Sequence, residues 1–134
     1  MIATLYKPGF ISDHFTVAEI ACRCCGSYNR AAAHVLCQEL EKVRLVSGPI
    51  VIISGHRCLA SNTRIGGAKQ SLHMQTMAVD IQVMADSQRF RLVQQFVQCG
   101  WLGIGVGNRM VHADLRHMVF LNPPAVMWAY PHEE

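Results

Sequence analysis

His73 and Asp80 stand seven positions apart in Ser71-Leu72-His73-Met74-Gln75-Thr76-Met77-Ala78-Val79-Asp80, and His112 lies in Met110-Val111-His112-Ala113-Asp114-Leu115-Arg116. An imidazole from a loop, a carboxylate from the strand that follows and a second imidazole from another strand make a three-ligand zinc site with one position open. That is the arrangement of a catalytic zinc, whereas a structural zinc is closed by four protein ligands. With His73, Asp80 and His112 as ligands, the metal keeps a net charge of about +1 and stays a strong Lewis acid, leaving Asp114 as the base. With Asp114 as a ligand instead, two carboxylates neutralise the metal and His112 must be the base. We expect the first arrangement. Arg116, two residues beyond Asp114, is placed to form a salt bridge that would lower the basicity of that carboxylate and argue for an orienting role.

These groups meet only if two strands lie side by side. Ala78-Val79-Asp80-Ile81-Gln82-Val83 alternates like a strand, and the run over 109–115 puts His112, Asp114 and Arg116 on one face with Val111, Ala113 and Leu115 on the other. Asp80 joins the polar face if the register allows. A further strand over 101–106 connects to 109–115 through Gly107-Asn108, a hairpin signal. The β-branched run over 50–53 predicts a buried strand, and Ser54-Gly55-His56-Arg57 leaves its end as a loop. Thr16-Val17-Ala18-Glu19 has the form of a capping box opening a short helix. Asn29 caps a helix over 30–46 carrying Val35, Leu36, Leu40, Val43 and Leu45, and Gly48-Pro49 ends it. Asp86 or Ser87 caps another, with Phe90, Leu92, Val93, Phe96 and Val97, which Gly100 stops.

Residues 58–70 are rich in Ser, Asn, Gly and Ala without a period and predict an ordered functional loop. Residues 1–15 read as an irregular lead-in with a turn at Pro8-Gly9, and the segment from Pro123-Pro124 onward as a tail or edge segment. The order of helices, strands, a helix and a hairpin predicts an α+β fold with a small, mostly antiparallel sheet and packed helices.

A chain of 134 residues with 51% hydrophobic content predicts one domain over 1–134, with a core over roughly 11–120. The net charge of +3, from 12 basic and 9 acidic residues, includes no basic block, so no nucleic-acid partner is expected. No apolar run approaches the ~20 residues of a membrane span, and the first residues lack a secretory signal, so synthesis in the cytoplasm is expected. Three of the six cysteines crowd into Cys22-Arg23-Cys24-Cys25. Free thiols are expected there; the other reading is a small metal cluster completed by Cys37. His14, His34, His117 and His132 are assigned to surface or core, and Met74, Met77 and Met84 to core packing.

Over residues 11–116 the sequence resembles the zinc D-Ala-D-Ala carboxypeptidases and related phage and bacterial murein peptidases, whose fold is shared with lysostaphin-type peptidases and the hedgehog signalling domain. Their signature Ser-x-His-x-x-Gly-x-Ala-x-Asp matches Ser71, His73, Ala78 and Asp80, with Thr76 at the glycine. Their Ser-Gly-Tyr-Arg element matches Ser54-Gly55-His56-Arg57, with His56 at the tyrosine, and their Gly-Gly-x-x-x-Ser approach matches Gly66-Gly67 and Ser71. Gly103-Ile104-Gly105-Val106 and Val111-His112-Ala113-Asp114-Leu115-Arg116 complete the resemblance.

The resemblance implies a zinc peptidase acting on peptidoglycan stem peptides, as a D-Ala-D-Ala carboxypeptidase or an L,D-endopeptidase. It implies that His73, Asp80 and His112 hold zinc, that Arg57 steadies the oxyanion, and that Ser71 contacts substrate backbone. His56 would add a polar group at the substrate, and Asp114 would be the base. Related enzymes often carry an acidic residue three positions before the last histidine; here Arg109 stands there. We expect a monomer that acts at the cell wall, as a phage-encoded endolysin or virion protein released by other factors. The alternatives are a non-catalytic, zinc-containing binding module of the same fold and a cysteine-zinc interaction protein. At Thr76 the backbone is expected to avoid a glycine-only conformation.

Overall fold

The computed structural model describes residues 7–131; the first six residues of the lead-in, His132 and the last two residues lie outside the described residues. Thr16 accepts the Glu19 backbone N–H while the Glu19 carboxylate accepts the Thr16 N–H, and this reciprocal cap starts α1 (Val17–Ile20). Asn29 caps α2 (Arg30–Ser47), and Gly48, at φ 82°, ends it. Ala33, Leu36, Cys37, Leu40 and Val43 form its buried stripe, while Leu45 faces solvent. The other two helices are α3 (Leu59–Arg64) and α4 (Asp86–Gln98).

Five strands, β1 (Ile52–Ser54), β2 (Ala78–Gln82), β3 (Gly103–Val106), β4 (Met110–Asp114) and β5 (Val126–Ala129), form one sheet in the order β1-β2-β4-β3-β5. All pairings are antiparallel except β3 with β5. The fold is α+β with a mostly antiparallel sheet. Pleating sends Val79, Ile81, Val111, Ala113 and Ile104 to one face, fully buried with Leu36, Leu40, Leu92, Phe96 and Trp101. Burying each of the larger side chains stabilises by about 1.5–3 kcal/mol. The opposite face of the central strands carries Asp80, His112 and Asp114.

Several local expectations change. The segment 58–70 is not all loop: Cys58 accepts the Ser61 N–H at its sulfur and starts α3, a helix too short and polar to show a period. The 50–53 run is not a buried strand. β1 is a sheet edge with a register break between Ile52 and Ser54, and it leaves Val51 and Ile53 exposed. Ala85, without a side-chain cap, precedes α4, and Gln88 reaches back to the Met84 N–H. Phe90 and Val97 on α4 are exposed, as is Met84, while Met77 is buried. The C-terminal segment forms β5, an edge strand.

Two glycines of β3 decide what lies over the polar face. Gly103 sits opposite Asp114, and a Cβ there would run into the Asp114 carboxylate and the Arg116 guanidinium. Gly105 sits between His112 and Trp128, and a Cβ would come within 2.7–2.8 Å of the Tyr130 and Trp128 rings. The glycines thus leave room for a carboxylate–arginine pair and for aromatics from β5. Gly105→Ala is expected to lower stability by about 1–3 kcal/mol through overpacking and to alter Trp128 fluorescence, measured by thermal melting and emission spectra.

Candidate metal centre

His73 is set by a 3₁₀ turn, Leu72–Gln75, whose Ser71 hydroxyl oxygen accepts the His73 N–H. The ring is buried, and its Nδ1 lies 2.7 Å from the Gly55 carbonyl oxygen. A carbonyl only accepts, so Nδ1 carries the proton and Nε2 presents a lone pair. On β4, His112 Nε2 lies 2.7 Å from Asp114 Oδ2. That ionised carboxylate also only accepts, so the proton sits on Nε2 and Nδ1 is the free acceptor. Register does the rest: Asp80 on β2 pairs directly with His112 on β4.

His73 Nε2, His112 Nδ1 and Asp80 Oδ1 form a triangle with sides of 3.1, 3.2 and 3.2 Å. Ligands 2.0–2.1 Å from a tetrahedral zinc stand about 3.3–3.4 Å apart, so the triangle has the size of one face of that tetrahedron. Three acceptors facing one another repel unless a positive charge lies among them. Without a metal, a proton on an imidazole serves as that charge: burial opposes ionisation of Asp80, yet its contacts with His112 and His73, once a ring facing it is protonated, hold its carboxyl well below the usual carboxylate range. Burial disfavours the His112 imidazolium, yet Asp114 and Asp80 outweigh it and raise its pKa. The donor set, two imidazoles and a carboxylate with both outer ring nitrogens hydrogen-bonded, fits zinc.

Asp114 stands behind His112. Its Oδ2 accepts from His112 and from Arg116 Nη2 at 2.9 Å, and its Oδ1 accepts from Arg116 Nε at 2.9 Å and from the Arg116 backbone N–H. Burial raises its pKa, but His112 and Arg116 prevail and bring it down to about 2. Such a carboxylate is a weak base, and this geometry suits the orienting role rather than the base role. Trp128 packs its ring 5.2 Å from that of His112 and lies under the Arg116 guanidinium.

The triangle lies in a cleft of about 1110 Å³. Arg57 and Ser71 line it, with Arg57 Nη2 3.4 Å from Ser71 Oγ and Arg57 Nε buried without a partner among the described residues. Arg109 lines the cleft as well. Trp128 on β5 and Tyr130 just past its end line it too. Their signal was the alternation of Val126-Met127-Trp128-Ala129-Tyr130.

His56 is not among the cleft-lining residues. Its Nδ1 lies 2.8 Å from Thr76 Oγ1, which also accepts the Asn29 N–H at 3.0 Å. Thr76 itself is left-handed, at φ 55° and ψ 38°. The expectation that its backbone avoids a glycine-type conformation is therefore corrected. A β-branched residue there costs about 1–2 kcal/mol, and two side-chain hydrogen bonds offset the strain. The two departures from the family motif touch each other.

Fold and site together have the build of a zinc peptidase. Residues 13–114 match the model of a family described as Peptidase M15, which covers well over half of the chain. The chain belongs to that family. A comparison with curated proteins finds no significant match.

Thr76→Val keeps the strained conformation and the shape but removes both hydrogen bonds. A loss of about 2 kcal/mol or more is expected in denaturant unfolding, with His56→Tyr and Thr76→Gly non-additive in a double-mutant cycle. Asp114→Asn, which still accepts the His112 N–H, should retain zinc better than Asp114→Ala, for which competition against a chelator should show an affinity loss of about 10–100-fold.

Proposed function

We propose that this chain is a zinc peptidase that hydrolyses peptide bonds in peptidoglycan stem peptides, as a D-Ala-D-Ala carboxypeptidase or an L,D-endopeptidase. The observation that carries the reading is the triangle of three lone-pair donors set in a cleft lined by arginines. His73 Nε2, Asp80 Oδ1 and His112 Nδ1 would hold the zinc. When bound, it supplies Lewis acidity, polarising a carbonyl and acidifying water near neutral pH.

The chain's own groups do the positioning. Arg57 is half-buried, and burial lowers its pKa, although Asp80 and Tyr130 act the other way. Its unpartnered Nε–H and its Nη groups suit the oxygen of a scissile carbonyl or a terminal carboxylate, with charge assistance. Ser71 Oγ already accepts from the His73 N–H and from Arg57, so its own proton is free for a substrate carbonyl. Asp114 holds His112 in one tautomer and orientation, and Arg116 holds Asp114.

Two features support the substrate class. The cleft is slightly larger than the roughly 300–1,000 Å³ typical of small-molecule pockets, a size suited to several peptide residues. Arg57, Arg109 and Arg116 outnumber Asp80 and Asp114 among the charged groups lining it, which favours an anionic peptide; stem peptides carry several carboxylates. This reading requires action at the cell wall.

A second reading, a zinc-containing binding module, is favoured by one observation. Among the described residues, the only carboxylates lining the cleft are Asp80 and Asp114, and both are engaged. Digestion of purified muropeptides with zinc-loaded protein, followed by mass spectrometry, separates the two. The peptidase reading expects a shortened stem peptide or a lost terminal residue, abolished by chelation and by His73→Ala. Zinc and peptide bound with no product from any stem peptide would establish the binding module. Arg57→Lys is expected to reduce kcat/KM by about 10²-fold, measured on the same peptides, because a point charge does not replace the planar fork.

A further inference from the structure

Among the described residues, one side-chain cluster apart from the cleft has the composition of a metal site. The sulfurs of Cys22, Cys24, Cys25 and Cys58 all lie within 4.8 Å of one another. Cys22 and Cys24 are 3.6 Å apart at sulfur, and Cys24 and Cys58 are 3.3 Å apart. A disulfide needs about 2.05 Å. Four thiolates around a tetrahedral zinc, each about 2.3 Å from the metal, stand about 3.8 Å apart. We propose that these four cysteines form a second metal site, a closed tetrathiolate that takes zinc as a structural ion.

The backbone is folded to bring the sulfurs to one point. Cys22 N–H donates to Ser27 O at 2.9 Å, Gly26 N–H donates to Cys22 O at 2.8 Å, and Gly26 is left-handed at φ 75°. This closes a tight loop in which Cys22 and Cys25 have the two-residue spacing common in zinc sites. Cys58 arrives from the other side, as the cap of α3. The Cys58 N–H donates to Cys22 Sγ and the Ser61 N–H to Cys58 Sγ, each at 3.4 Å. Backbone N–H groups turned toward sulfur favour thiolates and fix their orientation, as hydrogen bonds to metal ligands do elsewhere. Cys37, which the sequence placed with this cluster, is buried in the stripe of α2; Cys58, 33 positions after Cys25, takes its place.

As free thiols the group has no evident use. Cys24 and Cys25 are exposed, where clustered thiols invite oxidation. As metal ligands they tie the loop after α1 to the loop after β1, reinforcing an attachment made by the His56 N–H to Ile20 O at 2.7 Å and by Arg23 Nη2 to Ile53 O at 3.5 Å. Cys58 directly follows Arg57, so the ion would fix one end of the segment that carries that cleft arginine.

Metal analysis of protein purified under reducing conditions tests the site independently of the cleft. Wild type is expected to hold two zinc ions per chain, His73→Ala one, and Cys24→Ser/Cys25→Ser one. Cobalt(II) added to the His73→Ala protein after its zinc has been removed should give an intense thiolate-to-cobalt charge-transfer absorption. Loss of that absorption in the variant that also carries the two serines would identify the ligands. The cobalt spectrum of the single variant decides the matter even where the serine variants fail to fold. The proposal is overturned if His73→Ala binds no metal and gives no charge-transfer band while the exposed Cys24 and Cys25 of the folded protein react with a thiol reagent. A Cys24–Cys58 disulfide found by mass spectrometry in that protein would overturn it equally. If the cleft binds no metal but the cysteines do, wild type holds one ion with the charge-transfer band intact, so the two sites fail separately.

Discussion

The outer N–H groups of His73 and His112 are taken by the Gly55 carbonyl and the Asp114 carboxylate, and that commitment makes both inner nitrogens acceptors facing Asp80. Three lone pairs within 3.2 Å of one another, in a largely buried setting, are stable only with a positive charge among them. A proton on His112 meets that need without metal, and a divalent cation meets it better, because it satisfies all three at once. Much of the surrounding structure serves this convergence. Antiparallel register sets Asp80 beside His112, the 3₁₀ turn brings His73 over them, and the two glycines of β3 keep the space clear.

The outer layer is as specific as the inner one. Arg116 occupies three of the four hydrogen bonds to Asp114, which makes that carboxylate a fixed negative charge behind His112. On the other flank, the turn carrying His73 ends at Thr76 in a left-handed conformation held by His56 and Asn29. His56 and Thr76 form a hydrogen-bonded pair that supports this turn.

The shared face of Asp80 and His112 was legible because a two-residue period fixes which side chains share a face once a strand is recognised, whereas His73, on a 3₁₀ turn, was singled out by the motif it shares with the resembled family. The capping box at Thr16, the helix starting after Asn29 and the hairpin through Gly107-Asn108 were legible for similar local reasons. Less legible were features set by distant partners. Nothing near Thr76 in sequence says that His56, 20 residues earlier, will share its hydroxyl. The β-branched run of β1 signals a strand but does not say whether it lies at an edge. The six residues of α3 are too few and too polar for a period. β5 pairs in parallel with β3, a long-range choice that its own alternation does not specify, so the contribution of Trp128 and Tyr130 to the cleft emerged only in three dimensions.

The tautomers of the two central histidines test the account most directly. Long-range ¹H–¹⁵N correlation spectra of the zinc-loaded protein, assigned by comparison with His112→Ala, should show His73 protonated at Nδ1 only and His112 at Nε2 only. Rings that remain doubly protonated with zinc present, or that carry their protons on the nitrogens facing Asp80, would contradict it.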